Sequence, residues 1–119
     1  MKAYLDEYRQ AVVEIVLKGK RTNIAAKAII DTGFDGDICL PVHLAIQLGL
    51  ELRSVQTIEL ADGSRKNELV FGGSAKLDKE EEYEVEIFLT EAKDALIGTS
   101  LLRDRILKID FIKSAVEIT

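Results

Sequence analysis

Hydrophobic and polar positions alternate or cluster over short stretches along most of the 119-residue chain, and the periods are those of strands. Residues 11–17, Ala-Val-Val-Glu-Ile-Val-Leu, are rich in β-branched side chains, and Lys18-Gly19-Lys20 after them reads as a turn. Residues 24–30 are nearly all apolar, the pattern of a strand covered on both faces. A strand over 51–60 leads into Asp62-Gly63, a strong hairpin signal, with 68–71 as the returning strand. Over 83–89 the alternation is clean: Tyr83, Val85, Ile87 and Leu89 fall on one face, Glu84 and Glu86 on the other. Apolar-rich stretches at 106–111 and 115–119 close the chain. Two segments read as short helices. One covers 41–48, where Pro41 can begin a helix and Gly49 can stop it. The other covers 99–105, after Gly98, with Thr99 or Ser100 as its cap. The acidic run 78–82 reads as a solvated hairpin tip, and residues 4–10 carry no decisive pattern. Strands at regular spacing with two short helices predict a mostly β barrel or sandwich.

Composition narrows the function classes. The length is that of one domain over residues 1–119, with no linker or repeat. Sixteen basic residues against twenty-one acidic ones leave a net charge of −5, which argues against a nucleic-acid or anionic-membrane partner. The first ten residues are too charged for a signal peptide, and no apolar run approaches the roughly 20 residues of a membrane span, so a cytoplasmic protein is expected. One cysteine, Cys39, excludes an intrachain disulfide and reads as a buried small hydrophobe. The one histidine, His43, lies on the first predicted helix with no partner at ligand spacing and reads as a surface or packing residue.

Candidate chemistry concentrates at 28–41, Ala-Ile-Ile-Asp-Thr-Gly-Phe-Asp-Gly-Asp-Ile-Cys-Leu-Pro. An apolar strand runs directly into Asp31, so its carboxylate is carried to the edge of the core. Thr32 adds a hydroxyl that can lock a loop, and Gly33 permits close approach of a backbone or a substrate. Asp, Thr and Gly are also ordinary turn residues, and a plain turn is the alternative for the tripeptide alone. Carboxylates at 31, 35 and 37 raise a calcium loop as well. In an EF-hand register Gly36 fits, but Gly33 falls on a ligand position and Val42 where the bidentate glutamate belongs, so no metal or cofactor is expected.

In its wider context this segment resembles the retropepsin-like (clan AA) aspartic proteases. Ile29-Ile30 before Asp31-Thr32-Gly33 matches the family signature of aliphatic residues before Asp-Thr-Gly, and Asp35 agrees with retroviral members. Ala95-Leu96-Ile97-Gly98-Thr99-Ser100-Leu101-Leu102 looks like the second landmark, an aliphatic pair and glycine entering a short helix. The hairpin Leu-Ala-Asp-Gly-Ser-Arg-Lys at 60–66 stands where the family carries its flap, and the ordered set covers residues 11 to 119. Two positions depart from the pattern. Phe34 replaces a small residue and either narrows a subsite or covers the loop. Thr99 and Ser100 replace the charged pair that braces many retroviral dimers.

The resemblance implies a closed or half-open β-barrel with two short helices, acting as an aspartic endopeptidase. Peptide hydrolysis of this kind places two carboxyl groups around one water. The chain holds one Asp-Thr-Gly and is too short for a two-lobed arrangement, so a twofold homodimer is expected to bring two Asp31 side chains together. By the same resemblance Asp31, Thr32 and Gly33 are catalytic, Thr32 bonding across to the other loop. Phe34, Asp35, Asp62, Gly63 and Ser64 are implied to contact a peptide or protein substrate, the last three as the flap. The alternative is a dimer of the same fold that holds peptides with little or no hydrolysis.

Overall fold

The β-branched stretch near the N-terminus becomes the spine of the fold. The computed structural model describes residues 2–77 and 81–119. Strand β1 (Ala3–Leu5) pairs antiparallel with β2 (Ala11–Lys18), in which Val13, Ile15 and Leu17 are buried. β2 runs antiparallel to β3 (Asn23–Ile30) over seven residue pairs, from Val12 opposite Ile29 to Lys18 opposite Asn23. After the Asp31 loop come β4 (Ile38–Pro41) and the helix α1 (Val42–Leu48). Strands β5 (Glu51–Glu59) and β6 (Arg65–Lys76) form the long hairpin, followed by β7 (Glu82–Thr90) and β8 (Ala95–Ile97). A separate two-stranded sheet, β9 (Leu107–Asp110) and β10 (Ala115–Ile118), ends the chain.

The main sheet has the order β1-β2-β3-β8-β4-β7-β6-β5, and β6 also pairs with β2, from Val16 opposite Lys76 to Lys18 opposite Ser74. That pairing closes β2, β3, β8, β4, β7 and β6 into a ring. Closure satisfies backbone groups that an open sheet would leave at its edges. Ile15, Leu17, Ile38, Leu40, Leu48, Ile87 and Ile97 fill the interior, each less than 2% exposed, and no polar side chain is buried among the described residues. Ile38 is central to this packing, and Ile38→Ala should lower stability by about 2–5 kcal/mol, measured as a fall in the denaturant midpoint.

The helix forms where Pro41 and Gly49 bracket it. Gly49 takes a left-handed φ of 69° and its N–H bonds back to Ala45 and Ile46. The last helical carbonyl, Leu48, accepts the N–H of Arg21 at 2.9 Å from the β2–β3 turn, so the helix end is pinned to the sheet.

Two expectations are corrected by the fold. The segment 99–105 is not a helix. The Leu102 N–H bonds to Thr99 O and the Arg105 N–H to Leu102 O, so the segment closes two successive four-residue turns and not the four-back bonds of an α-helix. Strand β3 is not covered on both faces either: Asn23, Ala25 and Lys27 are exposed, and Ala28 alone is fully buried. Its alanines made a one-sided strand read as continuously apolar. In the acidic run, residues 78–80 lie outside the described residues, but Glu82 opens β7 and pairs with Lys18 at 3.1 Å. Glu81 is engaged by Arg105 and accepts the Tyr83 hydroxyl at 2.9 Å. Both glutamates are exposed, as the reading of this run as solvated expects, and they carry these surface ion pairs as well. Residues 4–10, which carry no decisive pattern, finish β1 and make a turn organised by Asp6, whose Oδ1 accepts the N–H groups of Tyr8 and Gln10 at 2.9 Å each.

Candidate active site

Asp31 is the first residue after β3, and its position is set by pairing on both sides of its loop. β8 lies between β3 and β4, parallel to the first (Ile30 opposite Ile97) and antiparallel to the second (Ile38 opposite Ile97). The chain therefore leaves β3 at Asp31 and must return past β8 to enter β4. Four backbone hydrogen bonds fix that excursion. Asp31 N–H donates to Ile97 O at 2.9 Å, Phe34 N–H to Asp31 O at 3.1 Å, Thr99 N–H to Phe34 O at 2.9 Å and Gly98 N–H to Asp37 O at 2.9 Å.

The carboxylate is held by its own loop. Asp31 Oδ1 accepts the Gly33 N–H at 2.9 Å, an Asp-initiated turn that leaves the second oxygen free of any partner among the described residues. Asp31 is half-buried, whereas Thr32 and Gly33 are exposed. Asp31 and Thr32 line a cleft of about 430 Å³ together with Arg9, Gln10, Leu96 and Ile109. Apolar strand residues thus form much of its wall, and a half-buried carboxylate and a threonine are presented in it.

Other expected site residues stand elsewhere in the protomer. Asp35 is exposed and lines a second cleft of about 560 Å³, with Arg53, Tyr83 and Arg103 among its other walls. Phe34 is half-buried and lines neither cleft. Asp62, Gly63 and Ser64 form the tip joining β5 and β6, where Gly63 has φ 85° and Asp62 Oδ1 accepts both the N–H (2.9 Å) and the hydroxyl (2.5 Å) of Ser64. Those bonds hold the Asp62 carboxyl below its usual range, the side-chain bond first. The tip is a stiff, hydrogen-bonded turn, and it does not line the Asp31 cleft.

Sequence reasoning missed three contributors. Asp37 entered only as a rejected calcium ligand, yet its Oδ2 accepts the Glu86 N–H at 2.9 Å and ties the loop to β7. Arg9 and Gln10 reach the cleft because Asp6 organises their turn; an Asp followed by polar residues was the available signal. Among the described residues, no group of three or more His, Cys, Asp or Glu side chains is gathered so as to hold a metal ion, and His43 is exposed on α1.

Cys39, expected to be buried, is only half-buried, because its place on β4 alternates with the buried Ile38 and Leu40. Desolvation, reinforced by the charge of Glu68, pushes its thiol above the ordinary 9.0. A pKa raised on folding contributes stability that is complete below the unfolded value and is lost as pH rises through the folded value, so the loss falls in the alkaline range. Labelling of Cys39 by a thiol reagent at pH 8 should be slower in the folded than in the urea-unfolded protein, by about tenfold.

No family model matches the chain, and neither does any curated protein. Solved structures do match. A retropepsin-like aspartic protease from Rickettsia conorii superposes with a TM-score of 0.71 at 22% identity, covering 98% of this chain and 86% of that one. The EIAV protease in complex with an inhibitor gives a TM-score of 0.59 at 13% identity, covering 83% of this chain and 90% of the other. The retroviral protease-like domain of Ddi1 from Leishmania major gives 0.52 at 15% identity, over 90% and 87% of the two chains. No helix among the described residues is long and apolar enough to cross a membrane. With its closed strand ring, the strand β8 threaded between the two arms of the Asp31 loop and these superpositions, the chain has the retropepsin-like fold.

Proposed function

We propose that the chain is an aspartic endopeptidase whose site is completed by a second copy of itself, each protomer over residues 1–119 supplying half. The observation that carries this reading is the Asp31 carboxylate, held by the Gly33 N–H and presented with one oxygen unpartnered among the described residues in an open cleft walled in part by apolar strand residues. One carboxylate is half of the chemistry. A water between two Asp31 side chains loses a proton to the ionised one, while the protonated one donates to the scissile carbonyl. Two carboxyl groups that close share one proton because both cannot ionise together, as is known of aspartic proteases as a class.

The remaining residues take supporting roles. Thr32, exposed in the protomer, bonds to the partner's loop. Gly33 runs along the substrate backbone, and Asp35 binds its main chain. The stiff Asp62-Gly63-Ser64 tip closes over the bound peptide and excludes water. The protomer also leaves Ile106, Phe111 and Ile112 bare, Ile112 at 97% exposure, which a partner copy would cover.

Cleavage of an unbiased peptide library, with light scattering on the same samples, tests the reading. Cleavage by a dimer, lost in Asp31→Asn, is the expected result. Cleavage by a monomer, or equal cleavage by both proteins, overturns it. Peptide binding without turnover would mark the chain as a peptide-holding module instead.

A further inference from the structure

Phe34 follows Asp-Thr-Gly where a small residue was expected, and the surroundings of its ring are unusual. An added Cβ at Gly36 would lie 2.6 Å from Phe34 Cζ and 2.8 Å from Cε1. One at Gly98 would lie 2.7 Å from Phe34 Cδ2. Gly36, in the Asp31 loop itself, therefore makes room for the ring, and the adjoining Gly98, just after β8, makes room for the ring and, more closely, for the Gly36 and Phe34 carbonyls. The third neighbour is Phe88 of β7, met edge-on with ring centroids 6.0 Å apart at 86°. The backbone of Phe34 joins the same parts. Its N–H donates to Asp31 O, and its carbonyl accepts from both the N–H and the hydroxyl of Thr99, at 2.9 and 3.4 Å.

We infer that Phe34 is a positioning residue: its ring, seated on Gly36 and Gly98 and braced by Phe88, clamps the Asp31 loop onto β8. This rests on the reading of Asp31 as the reacting carboxylate. The ring lines neither cleft, so it holds the loop without touching a peptide bound in either. An aromatic seat supplies the rigidity by packing, which salt does not screen.

The pairing of ring and glycine makes the inference testable. Gly36 has no left-handed φ, so Gly36→Ala is hindered by what its Cβ meets, chiefly the Phe34 ring. In peptide cleavage, Phe34→Ala should lower kcat by about 10- to 100-fold, with KM and the dimer little changed, as for a reacting group shifted by a fraction of an ångström. Phe34→Leu should recover part of that loss. Gly36→Ala should lower kcat in the parent but add nothing in the Phe34→Ala background, because the ring it displaces is gone.

Amide exchange gives a readout that does not depend on turnover. In Phe34→Ala the Gly33 and Thr99 N–H groups should exchange at least about tenfold faster while those of Val13 and Ile15 are unchanged. Unchanged exchange at Gly33 and Thr99, or Gly36→Ala and Phe34→Ala effects that simply add, would overturn the clamp. If the parent cleaves no peptide, the endopeptidase reading fails, and the exchange rates of the same three variants still decide for or against the clamp.

Discussion

Asp31→Asn is expected to lower peptide cleavage by about a thousandfold or more while the protein stays folded and dimeric. The fold survives because asparagine keeps an oxygen where Asp31 Oδ1 accepts the Gly33 N–H at 2.9 Å, so the turn loses no bond. Activity does not survive, because in a homodimer the substitution removes base and acid together, and positioned proton transfer alone is worth about 10²- to 10⁴-fold. Mixing separates this from ordinary loss of a residue. When parent and mutant protomers exchange freely with mutant in ninefold excess, only about one parent protomer in ten has a parent partner. Activity per parent protomer should then fall to about a tenth. Activity proportional to the parent added, in a sample shown to have exchanged subunits, would mean that each protomer works alone.

Gly98→Ala should have the largest effect on folding of any one-methyl change in the site. Its Cβ would lie 2.2 Å from the carbonyl oxygen of Gly36 and 2.6 Å from that of Phe34. Both are backbone atoms, so no rotamer change relieves the overlap. The Asp31 loop must move off β8 by about an ångström, breaking the Gly98–Asp37 and Thr99–Phe34 hydrogen bonds, both 2.9 Å. We expect a loss of about 3 kcal/mol or more, seen as a lower denaturant midpoint, together with loss of cleavage. Trimming Phe34 should not rescue it, in contrast to Gly36→Ala, because the clash is with main chain. A Gly98→Ala protein of parental stability and activity would show that the loop does not rest on β8 in this way.

What local pattern encodes was legible from the chain alone. The β-branched stretch 11–17, the run 51–60 and the alternation over 83–89 became β2, β5 and β7, Asp62-Gly63 became the hairpin tip, Pro41 and Gly49 bracket α1, and an apolar strand carries Asp31 to the rim of the core. These features depend on the few residues that show them, through alternation, turn conformation and helix capping. The errors fell where a distant partner decided the outcome. The segment 99–105 has helix-like composition, but its Leu102 and Arg105 N–H groups bond only three residues back, in turns, while its entry is tied to Phe34, sixty-five residues earlier, through the Thr99 N–H. The three-residue β8 is too short to stand without β3 and β4 on either side of it. Asp37 reads as a loop carboxylate, but Glu86 of the neighbouring strand β7, forty-nine residues later, supplies its N–H. The Asp31 loop shows the division most clearly. Its Asp-Thr-Gly sets the turn and the carboxylate by itself, through a bond spanning two residues. Where that carboxylate stands is decided by Ile97, Gly98 and Thr99, because a loop between non-adjacent strands takes its geometry from the strand threaded between them.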